Sequence, residues 1–166
     1  MVKLTLFLCV FFAVAFTGSS SCSQTKAVNA DTSLFIGSTP CDSLVQSMLE
    51  LPSGINCEFI KWRVNFYTES ISSGKFFLRI LFGEGQPNTN GFKGGGQQKQ
   101  LTGTYTVKKG TSALPAANVY ELHSNQIKSS LWLVQMDENL FHFADSSKNL
   151  LVGNGGFGYV LNVLKK

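Results

Sequence analysis

Groups able to do chemistry are scarce in this chain of 166 residues, which carries two histidines, four cysteines and three methionines. A metal centre needs several soft or imidazole ligands brought together. His123 and His142 both fall in segments patterned as strands, so no metal-binding residue and no cofactor is expected. Nucleophilic and acid–base chemistry fares no better. Asp145 and Ser146 follow His142 closely, but residues three apart on a strand face opposite sides, and Asp145-Ser146-Ser147 has the composition of a turn. Glu58, Glu69, Glu84 and Glu121 give no pair whose spacing suggests a shared acid–base site. No catalytic residue is assigned, and the chain is not expected to be an enzyme.

Charge is sparse too. Only 14% of residues are charged, for a formal net charge of +4. The lysines are scattered, a balance that implies neither a nucleic-acid partner nor attraction to an anionic membrane face. Asn-x-Ser/Thr sequons are absent, which removes the mark of a glycosylated eukaryotic secretory protein and favours a bacterial source. The longest apolar run, Leu4 to Phe16, falls short of the roughly 20 residues that a spanning helix needs.

That run has another reading. A basic start at Lys3, about a dozen apolar residues and the small-residue exit Thr17-Gly18-Ser19-Ser20-Ser21 describe a secretory signal over residues 1–21. Two cleavage sites compete. One is ordinary cleavage after a small residue, in Ala13-Val14-Ala15 or in the serine run. The other is lipoprotein processing, in which Ser20-Ser21 precede a cysteine, Cys22, that is lipidated and becomes the first mature residue. Ser19 departs from the leucine usual at its position, yet the pattern favours lipidation. Cysteine counting agrees. Export leaves Cys22, Cys41 and Cys57, an odd number where disulfides form, and lipidation of Cys22 leaves Cys41 and Cys57 to pair. A redox-active or copper-binding use of that pair is the rival reading.

Residues 22–31 are small and polar, as in a tether, and residues 32–166 are the size of one domain. A short strand, Ser33 to Ile36, leads to Asp42, which can cap a helix with apolar positions Leu44, Val45, Met48 and Leu49 before Pro52-Ser53-Gly54 ends it. Beyond Cys57 the period becomes two. Ile60, Trp62, Val64 and Phe66 alternate with Lys61, Arg63 and Asn65. Further strands are expected at Lys75 to Phe82, Gln100 to Lys108, Val119 to His123, Ser130 to Asp137, Asn139 to Ala144 and Gly158 to Val163. The expected fold is all-β, a small antiparallel meander closed into a lipocalin-like barrel, with one short helix near the N-terminus. Gly94-Gly95-Gly96 and Gly153 to Gly158 each precede a strand rather than a helix, which argues for turns and against a phosphate-cradling loop.

Phe35-Ile36-Gly37 with Pro40-Cys41-Asp42, then Gly103-Thr104-Tyr105, Val119-Tyr120-Glu121-Leu122 and Asp145 to Leu150, taken in order, resemble the NlpE N-terminal-like lipoproteins, also called copper-resistance lipoproteins. The likeness runs from Phe35 to Asn162 and is nearest a Bacteroidetes-type subgroup, through Cys57 to Trp62 and Val152 to Gly156. It implies a small lipocalin-like barrel on a lipid anchor, linked in better-known members to envelope stress sensing, adhesion and copper. Those members carry a Cys-x-x-Cys pair that this chain lacks, so copper binding through it does not transfer.

Trp62, Phe66, Phe76, Phe82, Tyr105, Leu122, Trp132, Phe141 and Phe143 are expected inside the barrel, which they either fill or line around one ligand. The leading expectation is a non-catalytic binding or interaction module, lipid-anchored in the cell envelope, with the outer membrane as the expected membrane and an envelope protein as partner. The alternative is a carrier of a small apolar ligand, and a third reading is an exported enzyme. A packed interior would favour partner recognition; an open pocket would favour the carrier.

Overall fold

The computed structural model describes residues 32–165, and the expected signal, Cys22 and tether lie outside them. The described chain is an eight-stranded antiparallel barrel in meander order, closed by pairing of the last strand with the first. Its strands are β1 (Thr32–Pro40), β2 (Phe59–Ser70), β3 (Ser73–Gly83), β4 (Gln97–Lys109), β5 (Asn118–His123), β6 (Leu131–Asp137), β7 (Leu140–Ala144) and β8 (Val160–Val163). One helix, α1 (Ser43–Met48), and a single 3-10 turn, Lys93–Gly95, complete it. Closure removes the edges that so apolar a sheet would otherwise expose. The closing seam is short, with only Phe35 opposite Val163 and Ile36 opposite Asn162.

Period-two patterning builds the core. Ile60, Trp62, Val64 and Phe66 of β2 and Phe76, Leu78, Ile80 and Phe82 of β3 are all buried, while the residues between them face outward. The indole of Trp62 donates to Thr39 Oγ1 at 2.8 Å, and that hydroxyl donates to the Pro40 carbonyl at 3.1 Å. The buried ring nitrogen is thereby satisfied, as interiors require.

Helix α1 plugs one end. Asp42 caps it, accepting from the Val45 amide at 3.0 Å. Val45 and Leu49 enter the core. Leu44, expected on the same apolar face, is instead 45% exposed, because a helix this short buries only the residues directly over the barrel. The chain turns away through Glu50, whose backbone lies in the left-handed region. Lys99 Nζ donates to the Leu49 carbonyl at 2.5 Å, placing a cation at the helix C-terminus where the carbonyls lack partners. Glu50 accepts from the Lys128 amide at 2.8 Å.

Trp132 is the one expected interior residue that lies outside. Leu131 and Leu133 take the inward positions of β6, while Trp132 is half-buried on the outer face. There it packs with Leu114, Ala117 and Leu150 against a second small cluster of Val119, Val134 and Ala144. The loop between β4 and β5 covers this patch, so β6 is apolar on both faces and alternation alone cannot tell them apart.

Candidate functional site

The barrel mouth opposite α1 is the place where a carrier would admit its ligand. Aromatic rings occupy it. Phe35 meets Phe141 at 4.8 Å between centroids, Phe141 meets Tyr120 at 4.8 Å, Tyr120 meets Tyr105 at 5.3 Å and Tyr105 meets Phe66 at 5.2 Å. Such edge-on and offset contacts add to the area each ring buries. Burial raises the phenol pKa of Tyr120, and neighbouring Tyr105 adds to the effect. Tyr105 donates to Thr68 Oγ1 at 3.3 Å on a polar rim shared with Ser33, Gln135 and Glu138. The space left inside this ring is about 110 Å³. Small-molecule sites usually offer roughly 300 to 1,000 Å³. Trp62, Phe66, Phe76, Phe82, Tyr105, Leu122, Phe141 and Phe143 therefore fill the interior.

At the plugged end Cys41 and Cys57 form a disulfide, with Cα atoms 5.6 Å apart. It ties the start of α1 to the approach to β2, beside the bond from the Cys41 amide to the Glu58 carbonyl at 3.1 Å. A second tie crosses the plug. The Tyr159 hydroxyl donates to the free oxygen of the capping carboxylate, Asp42. Burial first, and then Asp42, pushes the Tyr159 phenol well above its ordinary pKa.

The two histidines lie apart, and among the described residues the one carboxylate beside either is Glu121, whose Oε1 is 3.7 Å from His123 Nε2. His123 Nδ1 lies 2.9 Å from Ser130 Oγ on the outer face of β5, and His142 Nδ1 donates to the Phe143 carbonyl at 2.9 Å. Among the described residues no group of three His, Cys, Asp or Glu could hold a metal. Asp145 and Ser146 form a turn, with the Asp145 carboxylate accepting from the Asn149 amide at 2.9 Å and its side-chain amide at 3.1 Å. The Asn149 amide is the main cause of the lowered pKa of Asp145.

No family model, curated protein or solved structure matches the chain. The site must be read from its own geometry. Larger hollows lie outside the barrel. One of about 640 Å³ borders Glu58, Lys61, Asn88 and a stack in which Phe59 is sandwiched by Phe92 at 4.3 Å and Phe157 at 4.8 Å. Another, of about 570 Å³, lies between Leu114, Pro115, Met136 and Glu138 near the mouth. A third, of about 490 Å³, lies on the walls of β1 to β3 and includes Arg63 and Arg79. The sequence pattern puts Arg63 on the wet face of its strand but shows neither its pairing with Arg79, nor the Tyr159–Asp42 bond, nor the Phe59 stack. Each joins residues far apart in the chain, and only strand register could have foretold the first.

Proposed function

We propose that this chain is an exported, lipid-anchored barrel of the bacterial cell envelope, akin to NlpE-like lipoproteins, that serves as a non-catalytic binding module through its outer surface. The observation that carries this reading is the filled interior. With about 110 Å³ at the mouth and hollows of 490 to 640 Å³ outside, recognition has room on the walls and not in the lumen. The Cys41–Cys57 bridge fits an oxidising compartment. With those two cysteines paired, Cys22 is the cysteine left for lipid after Ser20-Ser21.

Mass spectrometry of the full chain extracted from the membranes of a bacterial host tests both parts. An acylated N-terminal Cys22, and a native mass with no further ligand, are expected. An unacylated chain starting elsewhere would overturn the anchor. A stoichiometric apolar ligand, displaced when Tyr120 is enlarged to Trp, would overturn the outer-surface reading in favour of the carrier.

A further inference from the structure

The β2–β3 register sets Arg63 directly opposite Arg79. Both side chains are exposed, and neither has a hydrogen bond or ion pair among the described residues. Directly opposed residues on antiparallel strands hold their Cβ atoms about 4.5 to 5.5 Å apart, where like charges repel. Among the described residues no carboxylate pairs with either. Their next neighbours are Ile36 on β1, opposite Arg63, and Gln100 on β4, opposite Arg79. In the four strands β1 to β4 the sole carboxylate is Glu69, at the β2–β3 tip, and Lys75 already pairs with it at 2.7 Å. Beyond the strand ends, Glu58 accepts from the Gly85 amide at 2.9 Å and Glu84 pairs with Lys93. A third cation, Lys61, lies one outward position along β2 and reaches the Asn90 carbonyl. Ile36, Lys61, Arg63, Arg79, Leu81 and Asn162 border one hollow of about 490 Å³.

We infer that this outer wall is a binding site for a phosphate monoester, held between Arg63 and Arg79. The chemistry matches on three counts. Guanidinium groups present planar donor forks suited to phosphate oxygens. A monoester carries a charge of roughly −1.5 to −2 with three strong acceptors, close to what two unpaired arginines offer, with Lys61 beside them. Ile36 and Leu81 supply an apolar flank for the carbon skeleton, and the Asn162 amide can donate to a hydroxyl or phosphate oxygen. Like charges directly opposite one another are unfavourable, and a bound dianion would offset that repulsion.

This inference deepens the outer-surface reading and rests on it. The test titrates the full chain at low ionic strength with glycerol 1-phosphate and, separately, with vesicles of phosphatidic acid in phosphatidylcholine or of phosphatidylcholine alone. Saturable binding is expected, weakened at least ten-fold by Arg63→Gln and by Arg79→Gln, and weakened by added salt. Lys128→Gln, which removes the same charge from the β5–β6 loop, should leave it unchanged. Each arginine variant should melt at or above the temperature of the parent, because repulsion is relieved, so lost binding will not be lost folding. Binding of the soluble ester assigns a small phosphorylated molecule; binding of phosphatidic acid vesicles alone assigns a lipid headgroup. Either result sustains the site. No binding of either probe, or arginine variants that bind as the parent does, would overturn it. A stoichiometric ligand in the lumen would overturn the outer-surface reading while leaving this titration intact, so the two failures are separable.

Discussion

Breaking the Cys41–Cys57 bridge is the most direct test of how the plug is held. The two cysteines are 16 residues apart in sequence. By the chain-entropy estimate, a loop of that size removes about 3 kcal/mol of freedom from the unfolded chain. For a domain of this length, 1 kcal/mol corresponds to a few degrees, so melting should fall by about 10 °C on reduction. The barrel should survive. Val45 and Leu49 still enter the core, Asp42 still caps α1 and accepts from Tyr159, and Lys99 still holds the Leu49 carbonyl. Calorimetry of oxidised protein, of reduced and alkylated protein, and of the Cys41→Ala/Cys57→Ala double variant should therefore show a lower but cooperative transition, with the strand signal in circular dichroism unchanged. A melting temperature unmoved by verified reduction would mean that the unfolded chain is already restrained around this loop, and the entropic reasoning would fail. Loss of the strand signal would refute the claim that packing and hydrogen bonds hold the barrel together without the bridge.

Three other perturbations probe the same architecture. Tyr159→Phe should cost about 1 to 2 kcal/mol at neutral pH by removing the bond to Asp42; because the phenol pKa is raised in the fold, its stabilisation is full below about pH 10 and is lost as pH rises beyond that, so the variant should show a shallower alkaline loss in denaturant titrations. Gly37→Ala would place a Cβ 2.2 Å from the Val160 carbonyl oxygen at the short β1–β8 seam, whereas a Cβ at Gly155 meets nothing within 4 Å; urea unfolding should show a loss of more than about 2 kcal/mol for the first and under about 0.5 kcal/mol for the second. Trp62→Ala should cost about 3 to 5 kcal/mol and Trp132→Ala markedly less, since only Trp62 sits in the main core, and equal losses would put Trp132 back inside.

The parts of the fold that alternation could reach were legible. Lys61, Arg63 and Asn65 between buried neighbours mark β2 as a strand with one wet face, and the capping role of Asp42 follows from its place before Leu44 and Val45. Ends were harder. β1 runs on from Ile36 to Pro40, and β4 begins at Gln97, because pairing with β2 and β3 imposes strand geometry on polar and proline-containing sequence. The arginine pair was hidden by a bulge. A two-residue tip at Ile71-Ser72 pairs Ser70 with Ser73, and continuing that count would set Arg63 against Ile80. The register shifts between Thr68 and Ser70, so Arg63 meets Arg79 and inward Phe66 meets Phe76. One extra residue decides whether the two hydrophobic sets share a face. No composition or charge count could supply it, which is why scattered basic residues gave no sign of a cationic wall.

Filling the barrel has a consequence for where specificity can reside. A lipocalin-like lumen selects by shape, through the residues that line it; here those residues are committed to packing, and changing them would cost stability before it changed recognition. Outward positions carry no such constraint, and on β1 to β4 they combine cations with apolar side chains in a way that packing does not require. Thr32 starts β1 at the mouth, and the β2–β3 tip lies at the same end. In the proposed anchored state, the ten residues from Cys22 to Asp31 would span at most roughly 33 to 36 Å and would join the barrel at its mouth end. Arg63 and Arg79 lie midway along their strands, on the side of the barrel and not at its mouth. In that state such a wall would be open to a soluble phosphorylated molecule, and the length of the tether would also let it reach headgroups at the bilayer surface. The vesicle and soluble arms of the titration address that choice, and Ile36 and Leu81 favour a ligand that brings carbon along with its phosphate.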